Sequence, residues 1–250
     1  MGWIVTFVTL VVGLSIGSFL NVVIFRLGKK GGILLGRSEC LHCGRTLKWH
    51  DLIPVLSFLT LKGKCRYCRR KISLIYPAVE ILTAAAFLAY VYLRNTYDIE
   101  VIYGLALISG LIVITFSDLL ELIIPDKIVF PLIILAFAFN LAAVDISARL
   151  ITALVLGSIF AIMYLGSRGR WMGLGDAKLV FLIGLALGYP LGVLAVLLSV
   201  WTAALVGIAL VTAKKATLKT ALPLGTFLAI SSIILIIFQN ELQKVTQTIF

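Results

Sequence analysis

Two sets of residues in this sequence could do chemistry. The first is acidic. Asp118, Glu121 and Asp126 crowd into DLLELIIPD, and Asp176 stands in GLGDAKL directly after Gly173 and Gly175. The second is a set of four cysteines, Cys40-Leu-His-Cys43 and Cys65-Arg-Tyr-Cys68, two close pairs separated by 21 residues. Two carboxylates held together cannot both ionise easily, so such a pair shares a proton. The ionised member can take a proton from water while the protonated member polarises a peptide carbonyl. That is aspartic proteolysis, which needs neither metal nor covalent intermediate. Two C-x2-C pairs close a tetrahedral S4 metal site of the structural kind.

The elements that must position these residues are apolar. The chain is 61% hydrophobic with 13% charged residues, and its mean hydropathy is +1.12. Soluble domains lie nearer 45–50% apolar. Apolar runs recur from end to end, roughly over 3–25, 76–93, 100–117, 128–144, 149–166, 177–189, 191–213 and 221–238. In lipid such runs must be helices, because no water is there to satisfy free backbone groups. The fold class expected is therefore an all-α polytopic membrane protein of about eight transmembrane helices with a small cytoplasmic metal-binding loop domain. The expected division is a first span at 1–25, a four-cysteine loop domain at 26–75 and a membrane domain at 76–250. No A-x-A-like cleavage site follows the first span, so it reads as a retained helix rather than a signal peptide. Tyr189-Pro190 makes a tight hairpin of the sixth and seventh spans.

A net charge of +11 would point to nucleic acid in a soluble protein. Here it reads as a topology signal, with no nucleic-acid partner. Of the 22 Lys and Arg residues, all but Arg94, Arg149 and Lys244 fall in 26–75, 118–127, 167–178 and 214–220. The positive-inside rule puts those segments in the cytoplasm and both termini outside. The same topology places Asp118, Asp126 and Asp176 at one membrane face.

Each group also has a plainer reading. Asp176 could be an N-cap, stabilised by the helix dipole. Asp126, after Pro125, could cap the fourth span, and Glu121 could be a solvated loop residue. Asp118 is harder to explain structurally, because a carboxylate at a helix C-terminus opposes the dipole. The cysteines could form disulfides or stay free, although a cytoplasmic loop disfavours disulfides. Zinc, or another tetrahedral metal such as iron, is the preferred reading. Gly44 supplies the positive φ that such a turn often needs. His42 is not expected as a ligand once four sulfurs fill the shell. His50 and Asp51 read as a solvated or capping pair. Arg69, Arg70 and Lys71 could meet the anionic headgroups of membrane lipids, but read first as topology charge. Glu80 could meet a basic peptide, but an ion pair with a nearby Arg or Lys is the preferred expectation.

Taken together the motifs are similar to those of a known family. GSFLNVVIFRL (17–27), the two cysteine pairs, DLIPVLSFL (51–59), YPAVE (76–80), SDLLELIIPD (117–126), GLGDAKL (173–179) and PLGTFLAI (223–230) occur in order. In this the chain resembles the type IV prepilin peptidases, leader peptidase/N-methyltransferases of the GxGD-type membrane aspartic protease family. The resemblance covers nearly the whole length. It implies catalytic roles for Asp118 and Asp176 and a supporting role for Asp126. Gly173, Gly175, Lys178 and Glu80 are further supporting candidates. It implies prepilin or pseudopilin substrates, cut after a glycine at the cytoplasmic face of the bacterial inner membrane. It also implies S-adenosylmethionine as donor for methylating the new N-terminal phenylalanine. The cysteine loop is the region it links to metal binding. Leu41 stands where many relatives carry proline, and Gly28 ends an R-L-P stretch of theirs. No glycine-rich fingerprint marks a cofactor site; Gly31-Gly32 is too slight.

Two other classes compete. A proton-coupled transporter also carries membrane carboxylates, but keeps them near the midplane and often in repeats. A non-enzymatic assembly factor would be a zinc loop on an anchor, and eight spans are a heavy anchor.

Overall fold

The structure, a computed structural model, describes residues 2–27, 38–141, 145–217 and 220–249, with side chains as far as Leu242. Gly28 and Gly31-Gly32 lie outside the described residues, as does the Lys244 side chain. The helices are α1 Trp3–Arg26, α2 Leu56–Thr60, α3 Ile75–Arg94, α4 Ile99–Glu121, α5 Asp126–Asn140, α6 Ile146–Ser167, α7 Leu174–Leu187, α8 Leu191–Thr212 and α9 Leu224–Ile249. A 3-10 turn covers Trp49–Asp51. Among the described residues there is no strand, only the isolated bridges Glu39–Thr46 and Lys64–Lys71.

Eight of these helices coincide with the eight expected spans, and six of them are long and apolar enough to cross a membrane. The other two, α5 and α7, have 15 and 14 residues. At 1.5 Å per residue each is about 21–23 Å long, short of the roughly 30 Å of a hydrocarbon core. Leu165, Trp201, Leu205 and Ile134 stand outward at 66–70% exposure. A water-soluble fold would bury such residues; a lipid-facing one need not. The chain is a multi-pass membrane protein.

The chain divides into two compact units, Met1–Ser109 and Gly110–Phe250. In the first, α1 packs along α3 at backbone distance. A Cβ on Gly13 would lie 2.7 Å from the Cα of Ala84, and one on Gly17 would lie 2.7 Å from the Cα of Glu80. These two form a G-x3-G pair, the spacing that lets membrane helices approach closely. Phe25 stacks on Tyr76 at 4.6 Å between ring centroids.

In the second unit α7 is the buried element. Leu179, Val180, Leu182, Ile183 and Leu185 are each at most 1% exposed. A helix apolar on all sides belongs inside a bundle, and α7 packs against α5, α6, α8 and α9. Gly184 lies against α6, where a Cβ would come 2.6 Å from the Cα of Ala153. Gly188, at φ +68°, closes α7, and Pro190 precedes α8. The short link makes α7 and α8 sequential neighbours, as the hairpin expectation required.

Candidate functional site

Asp118 sits in the last turn of α4 and is 5% exposed. It comes after the apolar run that makes α4 a membrane helix, so its helix carries it to the edge of the lipid-compatible segment. Thr226, in the first turn of α9, holds it. The Thr226 N–H donates to Asp118 Oδ2 at 2.6 Å and the Thr226 hydroxyl is 3.2 Å from the same oxygen. That hydroxyl also lies 3.2 Å from the Thr115 carbonyl, one turn earlier in α4. The Gly225 N–H also hydrogen-bonds to this carboxylate, so the start of α9 holds Asp118 in place.

Asp176 is the third residue of α7 and is 8% exposed. It is not the N-cap. Gly173 takes that position, and its N–H donates back to Asp176 Oδ2 at 3.1 Å. This is the returning half of a capping box, which satisfies one orphan donor at the helix start. Cap geometry therefore accounts for one carboxylate oxygen and not for the burial of the whole group. The backbone beside each aspartate converges on one side chain, Ile124.

Ile124 sets that neighbourhood. A Cβ on Gly175 would lie 2.9 Å from Ile124 Cβ, and one on Gly225 would lie 2.7 Å from Ile124 Cδ1 and 3.0 Å from Asp118 Oδ2. The starts of α7 and α9 thus close on one side chain from the segment after Asp118. Glycine at both places lets the two helix starts close on Ile124, which a Cβ would overlap. The sequence shows PLGTFLAI only as a family motif and does not mark Thr226 and Gly225 as partners of Asp118. A polar residue after a glycine at the start of an apolar helix was the available signal.

Asp126 does not cap α5 either. Pro125 is the N-cap, and the Asp126 carboxylate is instead 2.7 Å from the Lys178 Nζ. Both supporting candidates thus meet each other, in a pair that joins the starts of α5 and α7. Lys178 also lies 5.2 Å from the Phe130 ring centroid. Glu121 is exposed, as expected for a solvated residue.

Glu80, in α3 of the first unit, has different partners from the Lys or Arg expected. Its Oε2 accepts the Val55 N–H at 2.7 Å, and Ser18 hydrogen-bonds to the same carboxylate. Val55 has φ +60° and ψ −47°, a positive-φ conformation costly for a β-branched residue. The short strong bond to Glu80 helps hold it there.

The four cysteines meet. Their sulfur atoms lie within 4.8 Å of one another, with Cys40 and Cys68 at 3.9 Å. Each pair sits in the same tight turn. The Cys40 N–H donates to the Arg45 carbonyl and the Gly44 N–H to the Cys40 carbonyl. The Cys65 N–H likewise donates to the Arg70 carbonyl and the Arg69 N–H to the Cys65 carbonyl. Gly44 has φ +66° as expected; Arg69, at the matching place, has φ +58°. Burial pushes the Cys40 thiol up, but the backbone N–H groups of His42 and Cys43 and the neighbouring thiols outweigh it and bring it to about 7. The Cys68 thiol is pushed up to about 11: the Arg70 backbone draws it down, but burial and the three other sulfurs prevail. Four soft sulfurs at this spacing fit one tetrahedral cation.

Asp51 ties the two turns together. Its carboxylate caps the Lys48 N–H at 3.2 Å, binds Arg66 Nε at 2.7 Å and receives the Tyr67 hydroxyl at 3.2 Å. Burial opposes its charge, yet these donors hold it below the ordinary carboxylate range. Arg45 lies over the Tyr67 ring at 4.6 Å, and Arg70 Nη1 is 3.5 Å from His42 Nδ1. His42 therefore stays outside the sulfur cluster, and His50 Nε2 is 3.7 Å from Asp51.

Residues 11–94 match the Bacterial Peptidase A24 N-terminal domain, and residues 105–208 match the Type IV leader peptidase family. A prepilin leader peptidase/N-methyltransferase of Bacillus subtilis (strain 168) is 33% identical, over 92% of this chain and 93% of its own. Proteins of the same name from Pseudomonas putida and Aeromonas hydrophila are 30% and 31% identical. They cover 94% and 97% of this chain and 92% and 93% of their own lengths. No solved structure matches the chain.

Proposed function

Because the chain belongs to the type IV leader peptidase family, we propose that it is an integral-membrane aspartic endopeptidase that removes the leaders of prepilins and pseudopilins. Asp118 and Asp176 are its catalytic pair. The observation that carries this reading is the convergence of two buried carboxylates, from α4 and α7, around Ile124 beside the start of α9. Nothing in helix packing requires two such acids to be neighbours, and burying them is costly. Thr226 holds one oxygen of Asp118, and Gly173 holds one oxygen of Asp176. The oxygens left over can flank a water.

The chemistry follows. One carboxylate, ionised, takes a proton from the water as its oxygen attacks the scissile carbonyl carbon. The other, protonated, donates to the carbonyl oxygen. The tetrahedral species collapses as the carbon–nitrogen bond breaks, and the departing amine takes a proton from the pair. Gly173 leaves space for substrate backbone, since a Cβ there would meet nothing closer than 3.6 Å. The Asp126–Lys178 pair fixes the start of α7, and with it Asp176. The basic loops support a site at the cytoplasmic face of a bacterial inner membrane, where an apolar pilin helix with a basic leader arrives from the lipid.

The cysteine cluster at Cys40, Cys43, Cys65 and Cys68 holds a structural zinc that folds the 26–75 loop. The membrane domain 76–250 carries the peptidase. The same protein methylates the new N-terminus with S-adenosylmethionine as donor, consistent with the double name of its relatives.

The test is cleavage of a prepilin by purified wild type, Asp118→Asn and Asp176→Asn in detergent. The mature N-terminus is read by mass spectrometry with and without S-adenosylmethionine. Cleavage by wild type alone supports the pair. Cleavage by either variant at the wild-type rate overturns it. A mass gain of one methyl, only with donor, supports the second activity.

A further inference from the structure

The loop between α1 and α3 carries apolar side chains that its own fold does not cover. Trp49, Leu52, Ile53, Leu56 and Leu59 stand 36–78% exposed. Their spacing is that of one helix face, although the segment is a 3-10 turn, Trp49–Asp51, followed closely by the five-residue α2. The residues between them are partly covered. Asp51 meets Arg66 and Tyr67, and Phe58 approaches Gly63. A contiguous apolar stripe on so small a domain is costly in water and marks a surface that something covers.

Depth says what covers it. α3, Ile75–Arg94, is a candidate membrane span of 20 residues. At 1.5 Å per residue it is about 30 Å long, the thickness of the hydrocarbon core. Glu80 is its sixth residue, roughly 7–8 Å in from the end that the loop joins. The Val55 N–H donates to the Glu80 carboxylate at 2.7 Å. The middle of the stripe is therefore held below the level at which α3 enters the lipid. At that same level Ile81 and Leu82 stand outward from α3, each about half exposed, as lipid-facing residues do.

Charge agrees with depth. Lys48 and Lys62 bracket the stripe, and lysine stems let the ammonium groups stay among headgroups while their apolar neighbours sink. Lys62, Lys64, Arg69, Arg70 and Lys71 are all exposed. Glu39 and Asp51 are the only acids between 38 and 73, and Asp51 is engaged by Arg66.

We propose that Trp49–Leu59 is an interfacial anchor whose partner is an anionic lipid surface. Its apolar face lies at the acyl–headgroup boundary of the leaflet on the loop's own side, and the surrounding cations meet anionic phospholipid headgroups. Interfacial segments of this kind sink about 5–10 Å, which matches the depth of Glu80. Trp49 takes the headgroup level that tryptophan favours. The bond from Val55 to Glu80 is the pin that fixes the depth.

The test uses the full-length, metal-loaded protein, one chain per nanodisc, in phosphatidylglycerol or in phosphatidylcholine. Bromine on an acyl chain quenches indole fluorescence on contact. The protein has four tryptophans, so the difference between wild type and Trp49→Phe isolates Trp49. Lipid brominated near the headgroup is expected to quench Trp49 more than lipid brominated near the chain end, and aqueous acrylamide is expected to quench it little. Amide exchange over 49–61 should be about fivefold slower or more in phosphatidylglycerol than in phosphatidylcholine, the scale of one cation at an anionic surface. High salt should shrink that difference. Leu56→Gln/Leu59→Gln should speed the exchange about tenfold or more, the scale of one leucine side chain returned to water. Metal content shows whether that variant is folded; if it is not, quenching of Trp49 in the wild-type loop decides alone. Acrylamide reaching Trp49 while brominated lipid does not overturns the anchor. Equal exchange in the two lipids at low salt overturns the anionic preference. Trp49 shielded only when two chains share a disc assigns the face to a second copy and overturns the lipid as its partner.

Discussion

Ile124 allows the architecture of the aspartate site to be tested atom by atom. Gly225→Ala places a Cβ 2.7 Å from Ile124 Cδ1, 2.9 Å from Cγ1 and 3.0 Å from Asp118 Oδ2. Carbon atoms pack at about 3.5–4.0 Å, so something must move by nearly an ångström. Overpacking of this kind costs ~1–3 kcal/mol, and the start of α9, which carries the Thr226 donors to Asp118, is the part displaced. At about 1.4 kcal/mol per factor of ten, cleavage falls roughly ten- to a hundredfold. Ile124→Ala removes Cγ1 and Cδ1, the atoms in the way, so Gly225→Ala/Ile124→Ala recovers most of that loss. Gly175→Ala behaves differently. Its new Cβ meets Ile124 Cβ at 2.9 Å, and alanine keeps that atom. The same second substitution therefore gives no recovery. A double-mutant cycle thus yields a favourable coupling of ~1–3 kcal/mol for the 225 pair and close to none for the 175 pair. Initial cleavage rates of purified variants measure it, and thermal unfolding measures the packing cost independently. If Ile124→Ala rescues both glycine variants equally, or neither, Ile124 does not set the approach of α7 and α9.

Further outcomes are expected. Thr226→Val keeps the backbone donor to Asp118 but loses the hydroxyl, a bond worth ~1–3 kcal/mol; kcat should drop about five- to a hundredfold while Thr226→Ser stays near wild type. Cys65→Ser, which removes the buried sulfur of the cluster, should lower metal content per chain and expose the 38–73 loop to limited proteolysis. Arg69→Gly relieves a left-handed residue at φ +58° and should raise the stability of that loop by up to ~1 kcal/mol, seen as slower amide exchange. Asp51 is held below its ordinary value of 3.8. Its stabilisation is therefore full above that pH and is lost as pH falls through the lower folded-state value. The stability difference between wild type and Asp51→Asn should accordingly be constant near neutrality and vanish in acid.

Much of this protein was legible in one dimension. Apolar runs marked every long helix, because lipid-facing backbone has no alternative to the helix. Short-range motifs were equally direct. Two C-x2-C pairs have to form tight turns, and their sulfurs do converge. Asp118 stood out because no helix-end duty explained a carboxylate there.

What the sequence could not carry were partners many residues apart. Asp126 and Lys178 were both singled out, yet only the packed chain joins them across 52 residues at 2.7 Å. The N-cap reading of Asp176 was off by three positions, since Gly173, with no side chain to show it, takes the cap. Thr226 finds Asp118 across 108 residues; PLGTFLAI shows a polar residue after a glycine at a helix start, but not which carboxylate it meets. Nor did the period of α7, a short run ending before Tyr189-Pro190, show that it is the buried centre of its unit. An all-apolar run looks the same whether lipid or protein surrounds it. Glu80 shows the limit most clearly. Its sequence neighbours suggested a salt bridge, but close packing at Gly17 and the turn at Val55 gave it a backbone partner instead. Composition and periodicity determine which segments are helices and which residues are costly to bury. Which of those residues face one another is decided by side-chain contact between helices, and only the tertiary structure contains it.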